Sequence, residues 1–180
     1  MARPPRDIEP GTFHVTCHSV RDTPLFRDDL DRTRFLTELV AAGTHEGWTC
    51  IGYCLMTTHF HLIVTVDTGV LPVVMQRINC RYACAFNARH GTRGHVLERR
   101  YSAGRITSDA HLLAAYRYVA RNPVAAKMCA TPQEWPWSSY AATVGLADPI
   151  PFADASCVLE LFGGTHELAV GGLRGFVEES

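Results

Sequence analysis

The pattern His59-Phe60-His61 opens the run HFHLIVTV, whose alternation reads as a strand. Strand side chains alternate with period two, so both imidazoles leave one face while Phe60 anchors the other. Two imidazoles so placed suit a shared metal ion. On this pattern alone, a pair of half-exposed strand histidines without a ligand is the favoured reading. Downstream, the segment HLLAAYRYVARNP offers two phenols and an amide. At about 100° per residue, Leu112, Leu113, Tyr116, Val119 and Ala120 gather into one apolar stripe, which assigns Tyr116 to the core. Tyr118 falls on the far side of that stripe, beside His111, Ala115 and Asn122. A tyrosine there lies on the surface or faces a site, and Asn122 can offer an amide oxygen to a cation.

The elements that carry these residues follow from periodicity and turn chemistry. The run from Phe13 to Val20 predicts a first strand, and Asp28 to about His45 predicts a helix with acids in its first turn. Two strand-like runs, Thr49–Met56 and His59–Val66, flank Thr57-Thr58, a poor tight-turn pair. A second helix is expected over 70–89, with Leu71, Val74, Met75, Ile78, Tyr82 and Phe86 as its buried stripe. A Gly-punctuated basic loop then leads into a strand around Tyr101–Ile106. Ser108 can cap a third helix, which Asn122-Pro123 should end or disturb. This order predicts an α+β, ferredoxin-like split βαβ arrangement: an antiparallel sheet with helices on one face, plus a further tyrosine-bearing helix. Trp135, Pro136, Trp137 and Tyr140 read as cover for an apolar edge. A Pro-rich bend at 148–151 and a short acidic helix near 153–162 follow, so residues 1–145 form the main domain and 146–180 a helical extension.

The 180 residues are 47% hydrophobic and 19% charged, which fits one globular core and excludes disorder, collagen and coiled coil. No apolar run reaches the roughly 18 residues a membrane span needs, and MARPPRDIEPG lacks a signal-peptide core. A cytoplasmic protein with no membrane partner is therefore expected. Seven cysteines form no C-x-x-C pair. A four-thiolate zinc site from Cys50, Cys54, Cys80 and Cys84 is disfavoured, because the first pair falls in strand-like and the second in helix-like sequence.

The net charge of −1 hides a segregation. Residues 1–60 carry −2, residues 61–130 carry +7 and residues 131–180 carry −6. Sixteen of the seventeen basic residues are Arg, whose planar fork suits phosphate. Arg77, Arg81, Arg99, Arg100 and Arg105 are therefore candidate contacts to a nucleic-acid backbone, against the plainer reading of a solvated basic face.

The segments YCLMTTHFHLIV, RINCRYACAFNARHGTRGHVLERRY, HLLAAYRYVARNPVAA and EWPWSSYAATVG together resemble the single-tyrosine HUH transposases, specifically the REP-associated tyrosine transposase branch of this IS200-like family. The resemblance runs from about Gly11 to Gly145 in consistent order. It implies that His59 and His61 bind a divalent ion with Asn122 as third ligand, and that Tyr118 in the Tyr-x-x-x-Asn-Pro segment is the nucleophile. This sequence has Thr57-Thr58 where the family usually has Pro-Asn. The implied reaction is cleavage of single-stranded DNA beside hairpin-forming repeats through a 5′-phosphotyrosine intermediate. A free phenol titrates near 10 and needs assistance at neutral pH, which Mg²⁺ or Mn²⁺ would supply by polarising phosphate oxygens. Partners implied are single-stranded or hairpin DNA, with the protein a monomer or a homodimer. The alternative is a domesticated hairpin-binding regulator that has lost catalysis.

Overall fold

The computed structural model describes residues 9–43 and 47–179. Four strands, β1 (Gly11–His18), β2 (Trp48–Leu55), β3 (His59–Val66) and β4 (Ser102–Ile106), form one sheet in the order β2-β3-β1-β4, every neighbouring pair antiparallel. Helices α1 (Asp29–Gly43) and α2 (Val70–His90) connect them, giving the expected split βαβ order. α3 (Asp109–Ala125), α4 (Tyr140–Thr143), α5 (Ser156–Leu159) and α6 (His166–Glu178) follow. The end of the first predicted helix, at His45, lies outside the described residues, as does most of MARPPRDIEPG.

The sheet separates two cores. On one face, Phe13, Val15, Tyr53, Leu55, Phe60, Leu62, Val64 and Val66 meet Phe35 and Leu39 of α1 and Val74, Ile78, Tyr82 and Phe86 of α2. Burying each such side chain contributes about 1.5–3 kcal/mol, so this layer supplies much of the stability. On the other face, Ile51, Cys54 and Ile63 meet Tyr116, Val119 and Ala120 of α3 and Leu173 and Val177 of α6.

Local chemistry sets the helix ends. The Asp28 carboxylate accepts from Asp31 N at 3.1 Å and begins α1, and the Ser108 hydroxyl accepts from His111 N at 3.2 Å and begins α3, each satisfying an otherwise orphaned N–H. Gly91, at φ 62°, closes α2 in the left-handed region, where a Cβ would be strained. The expected break at Asn122-Pro123 is a correction. α3 continues to Ala125 with Pro123 inside its last turn and buried, because a proline so near the end forfeits a single helical hydrogen bond.

Two further differences bear on the site. The Thr57-Thr58 connection is held from outside: the Thr57 carbonyl accepts from Leu25 N (2.8 Å) and Phe26 N (3.2 Å), and that of Thr58 from Ser19 N (2.8 Å). External hydrogen bonds thus replace the intrinsic turn preference that Thr-Thr lacks. A bulge between Cys50 and Gly52 reverses the facing of β2, so Cys50 joins the α1–α2 core and Cys54 the α3 core. Cys80 and Cys84 are exposed on α2, and the four thiols do not form a cluster.

The tryptophan segment covers the β2 edge. The Trp137 carbonyl accepts from Leu55 N at 2.8 Å, Trp135 Nε1 donates to the Leu55 carbonyl at 3.0 Å, and Ser139 N donates to the Tyr53 carbonyl at 3.0 Å. Arg32 lies 5.6 Å from both the Trp135 and Trp137 rings, tying this cover to α1 by cation–π contact. α6, thirteen residues long, lies within the expected helical extension, of which the sequence assigns only the stretch near 153–162 to a helix, and packs on α3. Its terminal carbonyls accept from the α3 arginines, Val177 O from Arg121 at 2.9 Å and Glu179 O from Arg117. This anchors the helix that presents Tyr118.

Candidate active site

The α3-facing side of the sheet is polar along β1 and β3. In the antiparallel register His18 lies opposite His59, Thr16 opposite His61 and His14 opposite Ile63, so the four histidines point to one face. Their rings form a continuous chain. His18 stacks on His59 with centroids 4.6 Å apart, His59 meets His61 edge-on at 4.9 Å, and His61 stacks on His14 at 5.2 Å.

α3 crosses this face. Tyr116 packs inward over Gly52, where a Cβ would come within 3.0 Å of its ring, and its hydroxyl donates to Thr143 at 2.8 Å. Tyr118, two residues on and 56% exposed, projects to the other side of the helix. Its ring lies 5.5 Å from that of His61 and 5.8 Å from that of His14, nearly perpendicular to His61. Asn122, one turn further, donates from Nδ2 to the Tyr118 carbonyl at 3.0 Å. That bond commits the amide nitrogen and leaves the oxygen as the end available to a ligand. The fold therefore brings His59, His61, Tyr118 and Asn122 to one place from β3 and α3.

Burial favours the neutral form of His14, His59 and His61. Burial pushes His61 down to about 3, with His59, His14 and His18 adding to the shift and the facing Asn122 side chain opposing it. Burial, reinforced by His111, lowers His14, and burial with His18 lowers His59 against a weaker opposing effect of Asp22. Cations in a half-closed space repel one another and lose hydration, so the neutral bases are favoured. A neutral imidazole is the form that ligates metal.

His61 Nε2 is buried and has no hydrogen-bond partner among the described residues. A buried nitrogen lone pair left unused costs free energy unless a ligand takes it, which fits a cation at this point. No three His, Cys, Asp or Glu side chains among the described residues converge on one metal position. A cation here would therefore combine two imidazoles with an amide oxygen and oxygen atoms from outside the chain.

His14 and His18 were not singled out by their spacing. They stand four residues apart on β1, on one strand face, but only the pairing of β1 with β3 makes them neighbours of His59 and His61. His111, on the Tyr118 side of α3, has its Nδ1 3.4 Å from Thr107 N and lies near enough to act electrostatically on His14.

The five candidate arginines do not share a surface. Arg77 and Arg81 lie on α2, and Arg105 on β4 turns to the same side of the sheet, its guanidinium 5.7 Å from the Phe13 ring. All three are thus across the sheet from the histidines. Arg81 binds the buried Glu38 carboxylate at 2.6 Å, and Arg105 meets Glu9 at 3.3 Å and the Pro10 carbonyl at 2.8 Å. Arg99 and Arg100 follow Leu97 and Glu98, which pair with the His18 end of β1. Arg99 is exposed and its nearest acid is the neighbouring Glu98 at 3.1 Å.

Fold and geometry together define a class: a four-stranded antiparallel split βαβ domain whose open sheet face carries two strand histidines beneath a helix-borne tyrosine. A solved structure described as the REP-associated tyrosine transposase bound to a REP hairpin has this fold, with a TM-score of 0.67 over 86% of this chain and 98% of that one. The two sequences are 15% identical, so the likeness is one of architecture. No family model and no curated protein sequence matches this chain. Among the described residues no helix is long and apolar enough to cross a membrane.

Proposed function

We propose that this chain is a metal-dependent enzyme that cleaves and transfers single-stranded DNA beside hairpin-forming repeats, with Tyr118 as nucleophile. The observation that carries the reading is the Tyr118 phenol standing 5.5 Å, ring to ring, from a buried His61 whose Nε2 has no hydrogen-bond partner among the described residues. Support for a DNA hairpin as substrate comes from the similar solved structure, a transposase bound to such a hairpin.

In this reading Tyr118 Oη attacks phosphorus and forms a phosphotyrosine with the 5′ phosphate, while the bond from phosphorus to the 3′ oxygen breaks. The phenolic proton leaves to solvent and the departing 3′ oxygen gains one. One phosphodiester replaces another, so the released 3′ hydroxyl can reverse the step or attack a second linkage. His59, His61 and the Asn122 amide oxygen would hold a divalent ion, Mg²⁺ or Mn²⁺. That ion supplies Lewis-acid stabilisation of charge on the non-bridging phosphate oxygens. α3, braced by α6, keeps the phenol over the sheet, and the exposure of Tyr118 gives a DNA strand access from solvent.

Incubation with a labelled hairpin oligonucleotide and Mn²⁺ tests the proposal. A denaturation-resistant protein–DNA adduct is expected, absent in Tyr118→Phe and retained in Tyr116→Phe. Cleavage without an adduct would replace the reading with a hydrolase, and hairpin binding without cleavage with a regulator.

A further inference from the structure

Both strand imidazoles have their Nδ1 atoms occupied. His61 Nδ1 lies 3.0 Å from His14 Nε2, and His59 Nδ1 lies 3.2 Å from the Thr58 hydroxyl. The buried Nε2 of His61 has no hydrogen-bond partner among the described residues, and it can bind a cation beside the facing Asn122 side chain only as a lone pair. A proton on Nδ1 is satisfied by His14. We infer that His14 and Thr58 are positioning residues that fix His61 and His59 with their Nε2 lone pairs toward the cation, an inference that rests on the metal-dependent reading above.

The His14 contact bears on the tautomer and orientation of His61, and the Thr58 hydroxyl, which can donate or accept, holds the orientation of His59. Neutral His61 donates from Nδ1, His14 accepts at Nε2, and His14 must then carry its own proton on Nδ1. The near-parallel stacking of the two rings, 25° between planes, limits rotation of His61 about its χ2 bond. At His59, the Thr58 hydroxyl is supplied by the connection that replaces the more usual Pro-Asn, and the backbone of Thr58 is itself held through its carbonyl by Ser19 N at 2.8 Å. Stacking of His18 at 4.6 Å covers the other side of the ring. Partners at the second ring nitrogen fix tautomer and orientation of a ligating histidine, and their loss typically weakens metal affinity roughly 10- to 100-fold.

The test uses Mn²⁺ alone, titrated calorimetrically into the full metal-free chain, with long-range proton–nitrogen spectra of the histidine rings recorded before metal is added. The wild type should bind Mn²⁺ and show His61 protonated on Nδ1. His14→Phe keeps a ring in place but removes the acceptor; it should lose roughly 10- to 100-fold in affinity and show a mixture of His61 tautomers. His14→Gln restores an acceptor and should recover most of the loss, and Thr58→Val should weaken binding in the same direction. Wild-type binding matched by His14→Phe, or a wild-type His61 protonated on Nε2, overturns this inference alone. Failure of the wild type to bind Mn²⁺ overturns the metal-dependent reading and this inference with it.

Discussion

The two faces of the sheet hold their buried ionisable groups differently. On the α1–α2 side, the buried carboxylates of Asp31 and Glu38 are ion-paired. Asp31 receives Arg89, His90 at 3.0 Å and the Arg27 N–H at 2.9 Å, while Glu38 receives Arg34 and Arg81. On the α3 side, His61 is equally buried but keeps one ring nitrogen without a hydrogen-bond partner among the described residues, and a tyrosine stands over it half exposed. A single unmet polar atom does not mark a site, since Trp48 Nε1 and Asn79 Oδ1 on the α1–α2 side also lack a hydrogen-bond partner among the described residues; at His61 it coincides with neighbouring imidazoles and an exposed phenol, where a ligand can complete the set. The same contrast divides the arginines. Arg81 and Arg89 are bound to buried acids of the α1 layer, while Arg99 lies exposed near the histidine end of β1.

The comparison can be broken most directly at Asp31. Asp31→Ala leaves Arg89 and His90 without their buried acceptor and should cost about 3 kcal/mol in urea unfolding. The Tyr118-linked adduct formed per folded molecule should be unchanged, and a loss of adduct in the folded variant would erase the division between the faces.

Acid titration is expected to act next. Unfolded histidine gains its proton near 6.5, whereas folded His61 stays neutral down to about 3. The unfolded chain therefore binds more protons across that window, and stability falls as pH is lowered through it, by at most about 1.4 kcal/mol per pH unit from this residue. His61→Leu should flatten the dependence between pH 6.5 and 5 in denaturant titrations. An unaltered slope would mean that His61 is not held neutral by burial.

The smallest effect sharpens the arginine contrast. Arg99→Ala should weaken hairpin binding a few-fold and reduce the slope of log affinity against log salt by about 0.9. Arg81→Ala should change that slope less, because its guanidinium is already bound to Glu38. Equal slopes for the two variants would place both faces in contact with DNA.

Much of the site was legible because it is written in local periodicities. Period two places His59 and His61 together, and the 100° helical step separates Tyr118 from Tyr116. The four-strand order was legible too, since alternating strand and helix patterns leave few antiparallel arrangements. Harder to read were His14 and His18, whose relation to the site arises from a cross-strand register spanning more than forty residues. The proline inside α3 and the reversal of β2 at its bulge were also missed, because each is a local irregularity stabilised by packing from outside the segment. α6 was not delimited within the expected helical extension because three glycines in its span weaken the helical signal, and its contacts with α3 offset their intrinsic cost.

The sequence by itself determined which residues share a face within one strand or one helix, since backbone geometry fixes that without reference to distant segments. Tertiary structure alone decided that β1 brings two more imidazoles to the pair, that α6 braces the tyrosine helix, and that three of five arginines lie across the sheet from the histidines. Those outcomes depend on which surfaces meet when the chain closes, and the free energy of that meeting comes from burial summed over the whole molecule.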